Sequence, residues 1–310
     1  MLGCAKAIRH SLAKLLGKIE RAHISRRAAP DFPPVFIVGA PRTGSTLVYQ
    51  YLTSCLDVAY INNFMCQWHE CIALAAIVSR HVLHLRRHAG FESDAGRTRG
   101  WNGPSECGRL WYRWFPRDRH YVDAGELTSF QEEEIRNTVS AITRAFRAPL
   151  VVKNMNCGQR LRVLREIFPN ALFIHCRRDP LFTAQSIIEA REAIHGSREL
   201  WWSVMPKEYP DLVNLGVPAQ VVQQIYYIDR EITTVLQTLP EGQARVVAYE
   251  DFCEYPGAIV DMLQAFMCQG GSPAELVRGI PSQPLLSSNA KRLEPELLDD
   301  IAQEIARLTW

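Results

Sequence analysis

The sequence predicts an α/β protein of three layers, in which helices cover both faces of a central, mainly parallel sheet of about five strands. Five short apolar segments, most of them rich in β-branched residues, indicate buried strands. Segments with helical spacing separate the strands, and this alternation favours parallel pairing through right-handed crossovers. The chain of 310 residues, 47% of them hydrophobic, is long enough to bury one large core. The predicted strands cover residues 35–38, 58–61, 150–154, 171–176 and 244–249.

The helices are predicted from apolar and amphipathic segments that lie between and after these strands. The first begins near Ser45, directly after a glycine-containing loop. Another is expected to begin with a capping box, because Ser129 precedes Glu132 by three residues. Pro169 ends a third helix, since proline disfavours a helical conformation in the residue before it. The predicted helices after the first cover residues 71–85, 128–146, 160–168, 181–195, 221–239, 259–268 and 295–308.

Composition limits the class of protein. The net charge of +2 is too small to favour nucleic acid as a partner. Nine cysteines without Cys-x-x-Cys pairs indicate reduced thiols rather than a disulfide framework. No apolar run has the length of a membrane span and no signal-peptide core is recognisable, so we expect a cytoplasmic protein. Residues 33–310 are predicted to form a single α/β domain with an irregular insertion near residues 196–220.

The N-terminal residues 1–32 are predicted to form a separate basic, amphipathic helix. Its leucines and isoleucine repeat at helical spacing, and seven lysines and arginines accompany only two acidic residues. Such a helix can rest on an anionic membrane surface. It can equally dock its apolar face on the rest of the domain. The apolar positions are Leu12, Leu15, Leu16 and Ile19.

The loop from Gly39 to Thr46 has the character of an anion-binding site. It joins a buried strand to the N-terminus of a helix, where free amides and the helix dipole favour negative charge. We therefore expect a phosphate or sulfate group to bind at Gly44, Ser45 and Thr46.

The spacing of this loop is P-loop-like but differs from the Walker A motif. Gly39 and Gly44 match G-x-x-x-x-G-K-[ST], whereas Ser45 occupies the position of the lysine. Without that lysine, ordinary hydrolysis of ATP or GTP is disfavoured. The cation of this loop lies earlier, at Arg42.

A second anion site is predicted where the strand at 171–176 ends. Arg178 follows that strand, and Ser186 lies eight positions later in the next helix. Arginine carries a permanent planar charge suited to phosphate oxygens, and the serine hydroxyl can add a hydrogen bond to the same group. The alternative is a structural pair in which Arg178 and Asp179 only cap the helix.

These segments resemble the sulfotransferases, whose donor is 3′-phosphoadenosine 5′-phosphosulfate (PAPS). Pro41 to Thr46 resembles their 5′-phosphosulfate loop, and Arg178 to Ser186 resembles their 3′-phosphate-binding segment. The resemblance runs from about residue 34 to 295 and is closest to the carbohydrate, tyrosyl-protein and bacterial enzymes. Further similar segments are Val152–Asn154, the strand end Val247–Phe252, the acceptor-side loop Trp202–Pro206 and the late basic loop Ser287–Arg292.

The resemblance implies a role for each matching residue. Arg42 would stabilise the leaving group electrostatically, because arginine does not donate a proton at neutral pH. Lys153 would neutralise charge on the transferring group, and the donor would need no metal. The expected 5′-phosphosulfate ligands are Thr43, Gly44, Ser45 and Thr46, those of the 3′-phosphate are Arg178 and Ser186, and further nucleotide contacts are Tyr249, Lys291 and Arg292.

The family uses a glutamate or histidine as the base, and the sequence offers two candidates. Glu106 lies in a segment rich in tryptophan and arginine, where partial desolvation suits a general base. It can instead pair with Arg109 or cap a helix. His69, next to Glu70, is the rival.

The acceptor is predicted only by class, as a hydroxyl or amine of a glycan, lipid or peptide. Tryptophans can line a sugar-binding cleft, although most tryptophans belong to protein cores. Two other functions are compatible with the motifs, a divergent P-loop kinase and a nucleotide-binding relative without turnover. The tryptophans in question are Trp101, Trp111, Trp114, Trp201 and Trp202.

Overall fold

The computed structural model describes residues 2–24, 30–85, 87–88, 90–94, 97–279 and 283–310. The first half of this part contains helix α1 (Leu2–Ile24), strand β1 (Val35–Gly39), helices α2 (Ser45–Cys55), α3 (Asn63–Gln67) and α4 (Ile72–Ile77), strands β2 (Ser93–Asp94) and β3 (Arg97–Thr98), and helices α5 (Gly108–Trp111) and α6 (Ser129–Phe146). The second half contains β4 (Val151–Lys153), α7 (Leu161–Ile167), β5 (Leu172–Arg177), α8 (Pro180–His195), α9 (Tyr209–Leu212), α10 (Val217–Leu236), β6 (Ala244–Ala248), α11 (Tyr249–Glu254), α12 (Pro256–Gln269) and α13 (Pro295–Ala306). Short 3-10 turns cover His69–Cys71 and Met155–Gln159, and a π-helical turn covers Val78–Val82.

The central sheet has the strand order β4-β1-β5-β6 across the described ranges, and all its pairs are parallel. Strands β2 and β3 form a separate antiparallel pair. Because successive side chains of a strand point to opposite faces, β1 contributes to both sides of the sheet. Val35 and Ile37 pack with α2 and α12, whereas Phe36 and Val38 pack with α6, α7, α8 and α10. The three-layer α/β/α prediction is confirmed.

The segment predicted as a strand at residues 58–61 is reduced to a single bridge. Ala59 pairs in parallel with Leu150 beside β4, and its amide donates to Pro149 O at 2.9 Å. The described sheet therefore has four regular strands, and the fifth is present only as this bridge.

Two helix predictions were wrong in detail. The segment 71–85 is a 3-10 turn, the six-residue α4 and a π-turn rather than one helix. At α6 the capping box uses Thr128 and Gln131, one residue earlier than predicted from Ser129 and Glu132. The N-terminal helix is present as α1, and it contacts the 3-10 turn at His69–Cys71 and helices α4 and α6.

Candidate active site

The loop between β1 and α2 is held in shape by two glycines. Gly44 is the N-cap of α2 in the left-handed region, with φ of 79°, and a Cβ there would lie 2.5 Å from Cδ2 of Tyr249. A Cβ on Gly39 would lie 2.4 Å from the carbonyl oxygen of Cys176 in β5. Thr43 closes the turn by donating from Oγ1 to Ala40 O at 2.8 Å. The turn is tightly packed, and it leads into the first amides of α2. These amides have no carbonyl partner in their own helix and are available to an anion.

The structure brings Arg42, Arg178 and Ser186 together at the carboxyl edge of the sheet. Nε of Arg42 donates to Oγ of Ser186 at 2.9 Å, and Nη1 of Arg178 donates to the carbonyl oxygen of Arg42 at 3.0 Å. The contact follows from the parallel pairing of β1 with β5, which places the two strand ends side by side. The two predicted anion sites are thus contiguous.

Desolvation acts on both arginines of this cluster. Part of the Arg42 side chain is exposed, but the buried part loses contact with water, and this desolvation lowers the pKa of Arg42. The charge of Glu189 raises this pKa, and the charge of Arg292 lowers it further. Burial also lowers the pKa of Arg178, which Tyr249 opposes. Arginine stays cationic at neutral pH, so two incompletely neutralised charges lie beside the amides of α2.

The late basic loop folds over Arg178. The Arg178 guanidinium lies 4.6 Å from the ring centroid of Tyr249. Two of its nitrogens donate to the loop, Nε to Asn289 Oδ1 at 2.8 Å and Nη2 to Ser288 Oγ at 3.1 Å. The Tyr249 hydroxyl lies 3.0 Å from Ser288 Oγ. The loop has two cations of its own: Arg292 is paired with Glu189 at 2.7 and 2.9 Å, and Lys291 is exposed.

Lys153 at the end of β4 joins the loop to the candidate base. It is 3% exposed, its Nζ donates to Thr46 Oγ1 at 3.1 Å, and it forms an ion pair with Oε1 of Glu106. The other carboxylate oxygen, Oε2, accepts from the amide of Met155 at 3.2 Å. Asn154 holds the same segment by donating from Nδ2 to the Glu106 carbonyl oxygen at 3.1 Å. Glu106 therefore pairs with Lys153 rather than serving the alternative pair with Arg109.

A comparison with known protein families identifies the family of this chain. A family model described as "Sulfotransferase family" matches residues 33–268. This chain belongs to the sulfotransferase family.

Two kinds of relative accompany this family assignment. The omega-hydroxy-beta-dihydromenaquinone-9 sulfotransferase Stf3 of Mycobacterium bovis, like that of Mycobacterium tuberculosis, is 27% identical over 212 residues. The match covers 59% of this chain and 53% of the relative, so it spans about half the length of the curated proteins. The crystal structure of sulfotransferase STF1 from Mycobacterium tuberculosis H37Rv has a TM-score of 0.53 at 15% identity, covering 95% of this chain and 82% of that one. That similarity shows a shared sulfotransferase fold.

In the part of the chain that the structure describes, no hydrogen bond or ion pair joins His69 to Lys153 or Glu106 of this sulfotransferase. His69 is in the 3-10 turn that contacts α1, and its carbonyl oxygen accepts from Nη1 of Arg113 at 3.4 Å. Burial lowers the pKa of His69, with Glu70 opposing the effect.

A chain of hydrogen-bonding side chains that runs through Asn156, Tyr112 and His120 escaped the sequence analysis. Asn156 donates from Nδ2 to the Tyr112 hydroxyl at 3.1 Å, and that hydroxyl lies 3.3 Å from Nε2 of His120. His120 Nδ1 accepts from the amide of Met205 at 2.9 Å, in the predicted acceptor-side loop. The residues are far apart in sequence and carry no motif, so no sequence signal pointed to them.

The tryptophans of this sulfotransferase differ in their exposure. Trp111 and Trp114 belong to the core, whereas Trp101 is 61% exposed and stacks on Phe64. In the described ranges, no three histidine, cysteine or acidic side chains are grouped as metal ligands. Over the same ranges, no helix combines the length and the apolar character needed to cross a bilayer.

Proposed function

We propose that this chain transfers the sulfuryl group of PAPS to a hydroxyl or amine of an acceptor. The observation that carries the proposal is the 3.0 Å hydrogen bond from Arg178 to the Arg42 carbonyl oxygen. It makes one continuous cationic surface from two loops, next to a helix N-terminus. A donor with a phosphosulfate at one end and a 3′-phosphate nearby needs such a surface.

On the donor side, the amides of Ser45 and Thr46 and the Arg42 guanidinium would hold the 5′-phosphosulfate. Arg178 and Ser186 would hold the 3′-phosphate. The ring of Tyr249 supports this arrangement, because it packs against both Gly44 and the Arg178 guanidinium. Lys291 is exposed next to this surface and is available to a phosphate. Arg292 would first have to leave Glu189, so we expect it to contribute less.

On the acceptor side, Glu106 would accept the proton of the attacking group. The acceptor oxygen or nitrogen forms a bond to sulfur while the bond from sulfur to the bridging phosphate oxygen breaks. The products are then the sulfated acceptor and 3′-phosphoadenosine 5′-phosphate (PAP). Lys153 supports this role, because it touches both Glu106 and Thr46 and can stabilise negative charge that develops between them. His69 does not share these contacts and is the weaker candidate.

The acceptor class that we propose is a lipid, with glycan and peptide hydroxyls as alternatives. The support is the name of Stf3, which gives an omega-hydroxy menaquinone derivative as the molecule that it sulfates. At 27% identity over about half of that protein, the name supports the class and not the compound.

The donor proposal is tested by thermal unfolding with nucleotides. A ligand at 100 times its Kd stabilises the fold by about 2.7 kcal/mol. We expect this shift from PAP, with or without a chelator, and not from ATP with magnesium. Arg178→Ala should abolish the PAP shift. The matched control is Arg177→Ala, since this neighbour instead donates to Asp229 at 2.8 Å. A larger shift from ATP with magnesium would favour the divergent P-loop kinase.

The acceptor proposal is tested by turnover with radiolabelled PAPS and panels of lipid, glycan and peptide acceptors. Glu106→Gln should reduce kcat by a factor of ~100 or more while PAP binding stays normal. His69→Gln is the control and should keep its activity. Full activity of Glu106→Gln would exclude this base. PAP binding without turnover on any panel would instead favour an inactive nucleotide-binding relative.

A further inference from the structure

Over residues 9–22, whose side chains the structure describes, helix α1 docks on the domain through the face that carries Ala13 and Gly17. Ala13 is 2% exposed, and a Cβ added to Gly17 would lie 2.1 Å from the carbonyl oxygen of Glu70. Arg9 donates from Nη1 to Gln67 Oε1 at 2.7 Å. These contacts fix which side of the helix faces outward.

The outward side carries an apolar stripe. Leu12, Leu15 and Ile19 are 45%, 58% and 52% exposed, and their spacing of three and four residues aligns them along the helix. Helix α4, which contacts α1, also exposes apolar side chains, since Leu74 and Ile77 are 38% and 48% exposed. The two helices meet where the amide of Leu74 donates to Glu20 Oε2 at 2.8 Å.

The charges beside this stripe are positive. Lys14 and Lys18 are exposed and lie four residues apart on the outward side of α1. From Leu2 to Ile24 the sequence contains five lysines and arginines and one acidic residue, Glu20. That carboxylate is turned inward onto the amide of Leu74. An exposed apolar stripe flanked by lysines is the pattern of a helix that lies in the plane of a membrane interface. Anionic headgroups complement the lysines, whereas a neutral surface would not.

We propose that α1 and α4 dock this chain on an anionic lipid bilayer. Leu12 and Leu15 enter the boundary between headgroups and acyl chains, and Lys14 and Lys18 contact the headgroups. The helix lies along the surface, in agreement with the finding that α1 is too polar to span a bilayer. The inference concerns binding and does not require sulfuryl transfer.

The test is sedimentation with vesicles of equal parts phosphatidylcholine and phosphatidylglycerol, compared with phosphatidylcholine alone. The full chain should bind the anionic vesicles, and added salt should weaken the binding. Lys14→Ala with Lys18→Ala should lower the partition coefficient by about tenfold or more, since each lysine contributes about fivefold. Leu12→Ser with Leu15→Ser should lower it by at least about tenfold as well.

A matched control removes exposed apolar side chains elsewhere. Ile194 and Leu215 are 47% and 38% exposed and lie outside α1 and α4. Ile194→Ser with Leu215→Ser should bind the anionic vesicles like the unmodified chain. Circular dichroism and the PAP thermal shift should be the same in every variant, which separates a failure of membrane docking from a failure of the nucleotide proposal.

Three results would overturn the inference. The first is equal binding, or no binding, to neutral and anionic vesicles. The second is unchanged binding by both α1 double variants. The third is a dimer in sedimentation velocity that Leu12→Ser with Leu15→Ser converts to a monomer, because the stripe would then be covered by a second copy of the chain.

Discussion

The buried histidine that contacts the amide of Met205 should make the stability of the fold depend on pH. His120 is 9% exposed, and burial, followed by the charge of Arg160, lowers its pKa from 6.5 to about 4. Its Nδ1 accepts from the amide of Met205, so the native structure uses the neutral ring. Between pH 6.5 and 4 the unfolded chain therefore binds a proton that the native chain does not bind.

The sign and size of the effect follow from this difference. The stabilisation is complete above pH 6.5 and is lost progressively as the pH falls to about 4. A shift of ~2.5 pKa units corresponds to about 3 kcal/mol of unfolding free energy. Little discount for solvent is needed, because the ring is buried.

The assay is urea unfolding of the unmodified chain and His120→Gln at several pH values from 7 to 4. The free energy of unfolding should fall more steeply for the unmodified chain, by a difference of about 3 kcal/mol over the range. His195→Gln replaces an exposed histidine at the end of α8 and serves as the control. Other buried histidines and the carboxylates contribute equally to all three proteins and cancel. Parallel curves for His120→Gln and the unmodified chain would refute the reasoning.

Three further substitutions test the packing. Gly44→Ala should destabilise the fold by about 1–2 kcal/mol because of the positive φ at this position alone. The added methyl group should also displace Tyr249 and weaken PAP binding. An unchanged unfolding temperature and an unchanged PAP affinity in calorimetry would contradict this. Arg160→Met should leave the urea midpoint unchanged or raise it, because this fully buried guanidinium has no hydrogen-bond partner in the described chain. A large loss of stability in Arg160→Met would disprove this expectation. Gly17→Ala should loosen α1 by contact with Glu70, giving faster proteolysis within residues 2–24, whereas equal rates would show that the helix accommodates a methyl group.

Features that depend on neighbours in sequence were predictable. The apolar run of β1, the glycine at position 44 and the start of α2 at Ser45 all follow from local backbone preferences. The same holds for α8, where Asp179 accepts from the amides of Leu181 and Phe182 as an N-cap. The sequence therefore indicated the loop, the strand end and the fold class together.

Features that depend on distant contacts were missed or misplaced. Thr128 rather than Ser129 caps α6, although both hydroxyls suit the position. Gln131 completes this capping box, and its Nε2 also donates to the carbonyl oxygen of Trp114 at 2.9 Å. The expected long helix at 71–85 is interrupted in a region where Ser79 accepts from Asn62. Neither contact leaves a periodic signal in the chain.

The candidate base also combines a feature that the sequence predicted with contacts that only the tertiary structure determined. Residues alone nominated both Glu106 and His69, because each lies in a suitable composition. Ile37 of β1 pairs with Lys153 of β4, and this register carries the lysine to Thr46 and Glu106, which is 47 residues away in the chain. Short-range chemistry was enough to identify an anion-binding α/β protein. The partner of each buried charge depended on which strands became neighbours, because a charge is stabilised only by groups within a few ångströms.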